Sequence, residues 1–152
     1  MTIADAVALV ARRRAQGKAI VFTNGVFDLL HPGHLRYLQQ ARALGDLLIV
    51  GVNSDRSVKA NKGEGRPITP EAERVEILEA LEAVDAVVVF DEDTPHAVIA
   101  TLQPDILVKG ADWAEDAIVG RDVVEARGGT VVRIPVERGY STSAIIERIQ
   151  QS

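Results

Sequence analysis

The sequence predicts an α/β protein: a doubly wound, five-stranded parallel sheet with helices on both faces, three layers in all. Three observations carry this. Short apolar runs at 19–23, 47–52, 86–90, 106–108 and 130–134 are continuous rather than alternating, as in strands covered on both faces. Amphipathic stretches of helical period lie between them. Gly or Pro marks the joins, at Gly17, Gly45, Pro70, Pro95, Pro104 and Gly128-Gly129. A sheet of this kind takes ligands at the carboxyl ends of its strands, near the point where strand order reverses.

In chain order, Thr2 caps a first helix whose positions Ile3, Val7 and Val10 share a face. Arg12 to Arg14 form its solvated end, where positive charge suits the dipole. The first strand leads into a glycine-containing turn, and an amphipathic run at 35–44 follows. The second strand leaves through Asn53-Ser54-Asp55. Residues 56–67, rich in Lys, Asn and Gly, are too polar for a core element and read as a mobile surface loop. Thr69-Pro70 starts a helix, a capping hydroxyl followed by proline, with Val75, Leu78 and Leu81 facing inward. Asp93-Thr94-Pro95 opens the next helix, through Leu102, and Pro104 stops it. A polar stretch at 109–115 follows the fourth strand. A helix around Val123 precedes the fifth strand. The last helix starts near Thr142 and uses Ile145, Ile146 and Ile149.

Size and composition bound the function. The 152 residues make one domain, 1–152, with no repeat or linker to divide it. A formal charge of −5 provides no general attraction to nucleic acid or to anionic membrane, so an anionic ligand must meet a local cluster of cations. With no cysteine, there is neither a disulfide framework nor thiol chemistry, which fits a cytoplasmic protein. No stretch has the length to span a membrane.

The chemistry concentrates where the first strand ends. Residues 22–34 read Phe-Thr-Asn-Gly-Val-Phe-Asp-Leu-Leu-His-Pro-Gly-His. Strand, turn, two histidines and helix in succession aim a helix N-terminus, with its unpaired N–H groups, at the carboxyl edge of the sheet. That is a phosphate site, and two imidazoles add donors to it. Neither a Walker-type loop nor Gly-x-Gly-x-x-Gly is present. A zinc pair is the bland alternative for His31 and His34. Zinc needs at least a third protein ligand, and the chain has no cysteine and only one other histidine, His96.

The segment resembles the signature of the HxGH nucleotidyltransferases, in the form Gly-x-Phe-Asp-x-x-His-x-Gly-His of the cytidylyltransferase-like branch. The resemblance implies a Rossmann-like nucleotidyltransferase fold. It implies nucleotide contacts from Thr23, Gly25, Val26, Phe27, Asp28 and Gly33, and catalytic roles for His31 and His34. Asp28 has two readings, metal contact or a structural bond to the turn. The stretch from Ser54 to Pro67, Ser-Asp-x-Ser-x-Lys-x-x-Lys-Gly-x-x-Arg-Pro, is similar to that of the bacterial heptose-1-phosphate adenylyltransferases. There the lysine region serves the nucleotide phosphates, which assigns Lys59 and Lys62 to pyrophosphate, beside Arg66 and Arg74. Val108-Lys109-Gly110-Ala111-Asp112-Trp113 looks like a segment of the same subgroup. It offers Lys109, Gly110 and Asp112 to the nucleotide, while Trp113 stacks on it or packs beside it. Gly139-Tyr140-Ser141-Thr142-Ser143 resembles the segment opening the family's last helix. Ser141, Thr142 and Ser143 would supply a second phosphate contact. Val136 stands where the glycerol-3-phosphate and ethanolamine-phosphate cytidylyltransferases carry arginine, a departure shared with the heptose type.

The resemblance implies transfer of AMP from ATP to a sugar 1-phosphate, foremost D-glycero-D-manno-heptose 1-phosphate, with Mg²⁺ on the pyrophosphate and no metal held by protein ligands alone. It implies no nucleic-acid or membrane partner, and a homo-oligomer, dimer or larger. Many bacteria fuse this module behind a sugar kinase. Met1 followed by a capped helix reads as a stand-alone form. Three rival readings remain: CTP-dependent transfer to glycerol 3-phosphate or another phosphoalcohol, a non-catalytic nucleotide-binding protein, and adenylyl transfer in coenzyme biosynthesis.

Overall fold

In the computed structural model, all residues 1–152 are described, the side chain of Glu115 excepted. The strands are β1 (Ile20–Gly25), β2 (Leu47–Asn53), β3 (Ala86–Phe90), β4 (Ile106–Gly110) and β5 (Thr130–Ile134). They form one sheet, all parallel, in the order β3-β2-β1-β4-β5. The order reverses between β1 and β4, and that gap points the site.

Alternate side chains of each strand go to opposite faces. Ile20, Phe22, Leu47, Ile49, Val88, Phe90 and Leu107 pack with α1 (Ile3–Ala15), α5 (His96–Leu102) and α6 (Arg121–Ala126). Val21, Leu48, Val50, Val52, Val87 and Val108 pack with α2 (Pro32–Arg42) and α4 (Glu71–Glu79). Two cores flank one sheet, which is why its strands carry no polar alternation.

At the amino edge, three aspartates tie strand to strand. Asp46 accepts from Ala19 N–H, Asp85 from Leu48 N–H and Asp105 from Ile20 N–H, each at 2.8 Å. The short links into the strands are therefore anchored by side chains, and the carboxyl edge is left to carry loops.

Several local expectations are corrected. Most of the presumed loop at 56–67 is helix, α3 (Asp55–Lys62). Ser54 caps it, accepting from Ser57 N–H, and Val58 is fully buried, so one apolar anchor and one cap outweigh a polar composition. The next helix starts at Glu71, with Pro70 at its cap position rather than inside it; no side chain caps it. Strand β4 runs two residues further, so Lys109 and Gly110 lie in it. In α1 the buried stripe is Ala6, Leu9 and Val10, and Val7 sits exposed at its edge. The last helix, α7 (Thr142–Gln150), buries no residue fully, and Ile149 is exposed rather than inward.

Candidate active site

The loop between β1 and α2 is wound tightly. Phe27 and Leu29 adopt left-handed φ of 54° and 50°, where side chains are disfavoured. Phe27 is nonetheless buried, and its packing holds the turn. Asp28 is the clamp. Its buried carboxylate accepts from Ile68 N–H (2.7 Å) and Thr69 N–H (2.9 Å), with Arg66 Nε 3.5 Å away. Its carbonyl accepts from Thr142 Oγ1 (2.6 Å). Asp28 therefore joins the signature loop to the crossover before α4 and to the start of α7. Of its two readings, the structural one is what the geometry presents.

His31 stands at the N-cap of α2 and His34 at its third position, with Pro32 between them opening the helix. The pair caps reciprocally. His34 N–H donates to His31 Nδ1 (3.4 Å), and His31 N–H donates to His34 Nδ1 (3.3 Å). An imidazole nitrogen that accepts carries no proton, so each neutral ring keeps its proton on Nε2 and presents it as a donor. The rings stack at 3.9 Å with 21° between planes. Burial lowers the His31 pKa. Burial, then the neighbouring His31, lowers His34 to about 4, against a weaker opposing pull from Asp28. Both rings are thus neutral donors near pH 7. Gly33 is required between them: a Cβ there would lie 2.9 Å from the His31 ring and 2.9 Å from Tyr140 Cβ.

Around the histidines lies a cavity of about 400 Å³ at the carboxyl edge of the sheet. Asn24 to Asp28, Gly33, Lys62, Arg66, Lys109, Gly110, Asp112, Trp113 and Ser141 to Ser143 all line it. Segments more than a hundred residues apart in sequence, Asn24 and Ser143 among them, therefore converge, as the strand order requires. Lys109 lies deep, its Nζ 3.5 Å from the Asn24 carbonyl and 5.1 Å from the centre of the Trp113 ring. Burial lowers its pKa, and nearby Lys62 pushes the same way against Asp112. A cation made uncomfortable by desolvation and by a like charge is placed to gain from an arriving anion. Trp113 is half-exposed on the rim, over the lysine, rather than packed away.

Two expected site residues, Thr23 and Lys59, stand elsewhere, and so does Arg74. Thr23 is buried behind the cavity, its hydroxyl donating to the Val108 carbonyl (3.0 Å) and paired with Tyr37 Oη (2.7 Å). Burial raises that tyrosine to about 12. Lys59 is exposed on α3 and does not line the cavity, whereas Lys62, one turn on, does. Arg74 is almost wholly buried and donates to the carbonyls of Val26, Asn53 and Thr69 and to the Asp55 carboxylate (2.8–2.9 Å).

Sequence reasoning missed Arg36, Gln40, Glu137 and Tyr140, which also line the cavity. Arg36 and Gln40 lie one turn apart on α2, a spacing that could have marked them as one face. Nothing in the sequence brings Glu137 to Arg36, a hundred residues away.

Among the described residues no group of three or more His, Asp or Glu could hold a metal ion. The Asp28 carboxylate is engaged by the backbone amides of Ile68 and Thr69. No helix in the described structure is long and apolar enough to cross a membrane.

A parallel α/β sheet whose carboxyl-edge loops converge on a histidine pair at a helix start belongs to the class of α/β proteins that bind phosphate groups at that edge. Within that class, the chain belongs to the cytidylyltransferase-like family, whose model matches residues 22–148. It is 59% identical over 143 residues to the bifunctional protein HldE of Citrifermentans bemidjiense, covering 94% of this chain and 29% of that protein. It is 55% identical over 141 residues to the bifunctional protein HldE of Geobacter sulfurreducens, covering 93% and 29%. The chain thus spans less than a third of the length of these relatives. Among solved structures, the lipopolysaccharide core biosynthesis protein from Thermoplasma volcanium superposes with a TM-score of 0.65 at 31% identity, over 82% of this chain and 99% of that one.

Proposed function

We propose that this chain is an adenylyltransferase domain that moves AMP from ATP to a sugar 1-phosphate, with D-glycero-D-manno-heptose 1-phosphate as the foremost acceptor. An acceptor phosphate oxygen attacks the α-phosphorus, the bond from that phosphorus to the bridging oxygen breaks, and pyrophosphate leaves with the bond electrons. A phosphate monoester is already largely dianionic at neutral pH, its second pKa being about 6, so no general base is needed. Catalysis is then alignment plus stabilisation of charge on the non-bridging and leaving oxygens.

The observation that carries this reading is the reciprocal cap of His31 and His34, which leaves two Nε2–H donors side by side at the start of α2. Such donors match two phosphate oxygens, and the helix dipole adds to them. Lys62, Arg66 and Lys109 form the cationic wall against the triphosphate, and Ser141 to Ser143 stand across the cavity at the start of α7. Magnesium belongs to the substrate, as MgATP. In this reading residues 1–152 act as one domain in the cytoplasm, as part of a dimer or larger assembly.

The heptose reading rests on the resemblance of the segments 54–67 and 108–113, and the high identity to the HldE proteins supports it. A pyrophosphate-release assay, with ATP and with CTP against a set of sugar 1-phosphates and glycerol 3-phosphate, tests it. Release with ATP and heptose 1-phosphate is expected. Turnover confined to CTP and glycerol phosphate, or nucleotide binding with no release on any acceptor, overturns it.

A further inference from the structure

His31 is the less buried of the two signature rings, and its hydrogen bond to the backbone is long, at 3.4 Å. One weak bond does not fix the orientation of a half-exposed imidazole. Its faces do more. On one side His34 stacks at 3.9 Å. Tyr140, from the loop between β5 and α7, also lies near-parallel to the His31 ring, with 6.0 Å between ring centres and 19° between planes. That spacing and tilt fall within the range of offset-stacked aromatic pairs. The absent side chain at Gly33 is what lets Tyr140 approach so closely.

Tyr140 is itself held. The Arg36 guanidinium lies 5.4 Å from its ring centre, and Arg36 is in turn ion-paired to Glu137, three residues before Tyr140. The order is a column: Arg36, Tyr140, His31, His34, with Phe27 tilted against the last ring at 5.6 Å. The Arg36–Glu137 pair is surface-exposed and contributes little stability by itself. Its geometric effect is larger, because it ties α2 to the loop that carries Tyr140.

We propose that Tyr140 is a positioning residue for His31. Its ring face, kept in place by Arg36 and Glu137, holds the imidazole with Nε2–H turned into the cavity. The inference rests on the adenylyl-transfer reading for its kinetic consequence and on the ring column alone for its structural one. A stacked ring needs a face and not a hydroxyl, so phenylalanine should replace tyrosine and leucine should not.

The test uses ring-nitrogen NMR and turnover together. With three histidines in the chain, single substitutions assign the ring signals. In Tyr140→Leu the His31 nitrogens should move toward the averaged positions of an imidazole exchanging between tautomers, while Tyr140→Phe keeps the wild-type pattern. Turnover should fall at least ~10-fold in the leucine variant, in kcat rather than in KM for ATP, since a misaligned donor harms the transition state most. Arg36→Gln and Glu137→Gln should show the same changes in weaker form. The proposal is overturned if Tyr140→Leu leaves the His31 signals as in wild type, or if phenylalanine loses as much turnover as leucine. If the wild-type chain turned over no acceptor at all, the adenylyl-transfer reading would fall, while the NMR comparison would still decide the role of Tyr140.

Discussion

His34 carries two expectations. It is a neutral donor in the free protein, partly buried, and the proposed transition state places negative charge against it. His34→Ala should retain its fold by circular dichroism and lose roughly 10²–10³ in turnover, as for removal of other charge-stabilising donors. Retention of a tenth of wild-type activity would contradict that role. The second expectation concerns stability. The ring titrates at about 4 when folded, against 6.5 as a free side chain. Between those values the unfolded chain binds the proton and the folded one does not, so stability is intact above pH 6.5 and falls as pH drops toward 4. Allowing for solvent at the half-buried ring, the loss should be about 1–2 kcal/mol, measured by denaturant unfolding at pH 7 and pH 4.5. His34→Asn should remove that part of the slope.

The two lysines of α3 separate on the same scale. Both matched the resemblance equally well, and sequence spacing could not rank them. One helical turn points Lys62 into the cavity and leaves Lys59 outside it. Lys62→Ala should therefore raise KM for ATP and lower kcat clearly more than Lys59→Ala does in the pyrophosphate-release assay.

Among elements, the crossover from β2 to α4 shows how a polar segment earns structure. Arg74 is its centre, bonded to carbonyls of the signature loop, the end of β2 and the start of α4. Asp55 accepts from it and also from Glu71 N–H, while Glu71 accepts from Asp55 N–H. Arg74→Met takes the guanidinium from three carbonyls and from the Asp55 carboxylate, which keeps only the Glu71 N–H. A loss of ~3–5 kcal/mol is expected in chemical denaturation, as for breaking other buried charge pairs. A change under 1 kcal/mol would mean that water replaces the guanidinium freely. The start of α2 is as tightly determined. Gly33→Ala inserts a methyl 2.9 Å from both the His31 ring and Tyr140 Cβ. Alanine suits a helix better than glycine by about 0.5–1 kcal/mol, so the fold should survive. Turnover should drop by an order of magnitude or more through the displaced ring, as the same kinetic assay would read.

For the whole molecule, much was legible in the chain order of residues. Each strand was marked by an unbroken apolar run, because a parallel strand meets a core on both faces and tolerates no polar alternation. The histidine signature was legible for a related reason: a helix start that binds phosphate needs its donors and its glycine at fixed local spacing. The helix α3 was not legible, since one buried valine and one capping serine decide it and composition argues otherwise. Nor was the part played by Asp28 or Arg74, whose partners lie 40 residues off or in three separate segments. The sequence by itself determined the α/β class, the strand-to-helix alternation and the histidine pair, all set by periodicity and by neighbours within a few residues. Only the tertiary structure decided which cations face the cavity, that Asp28 ties the signature loop to residues 68–69 and to the start of α7, and that Arg36, Glu137 and Tyr140 lie beside His31. Those outcomes depend on strand order, and strand order brings together residues that no local pattern relates.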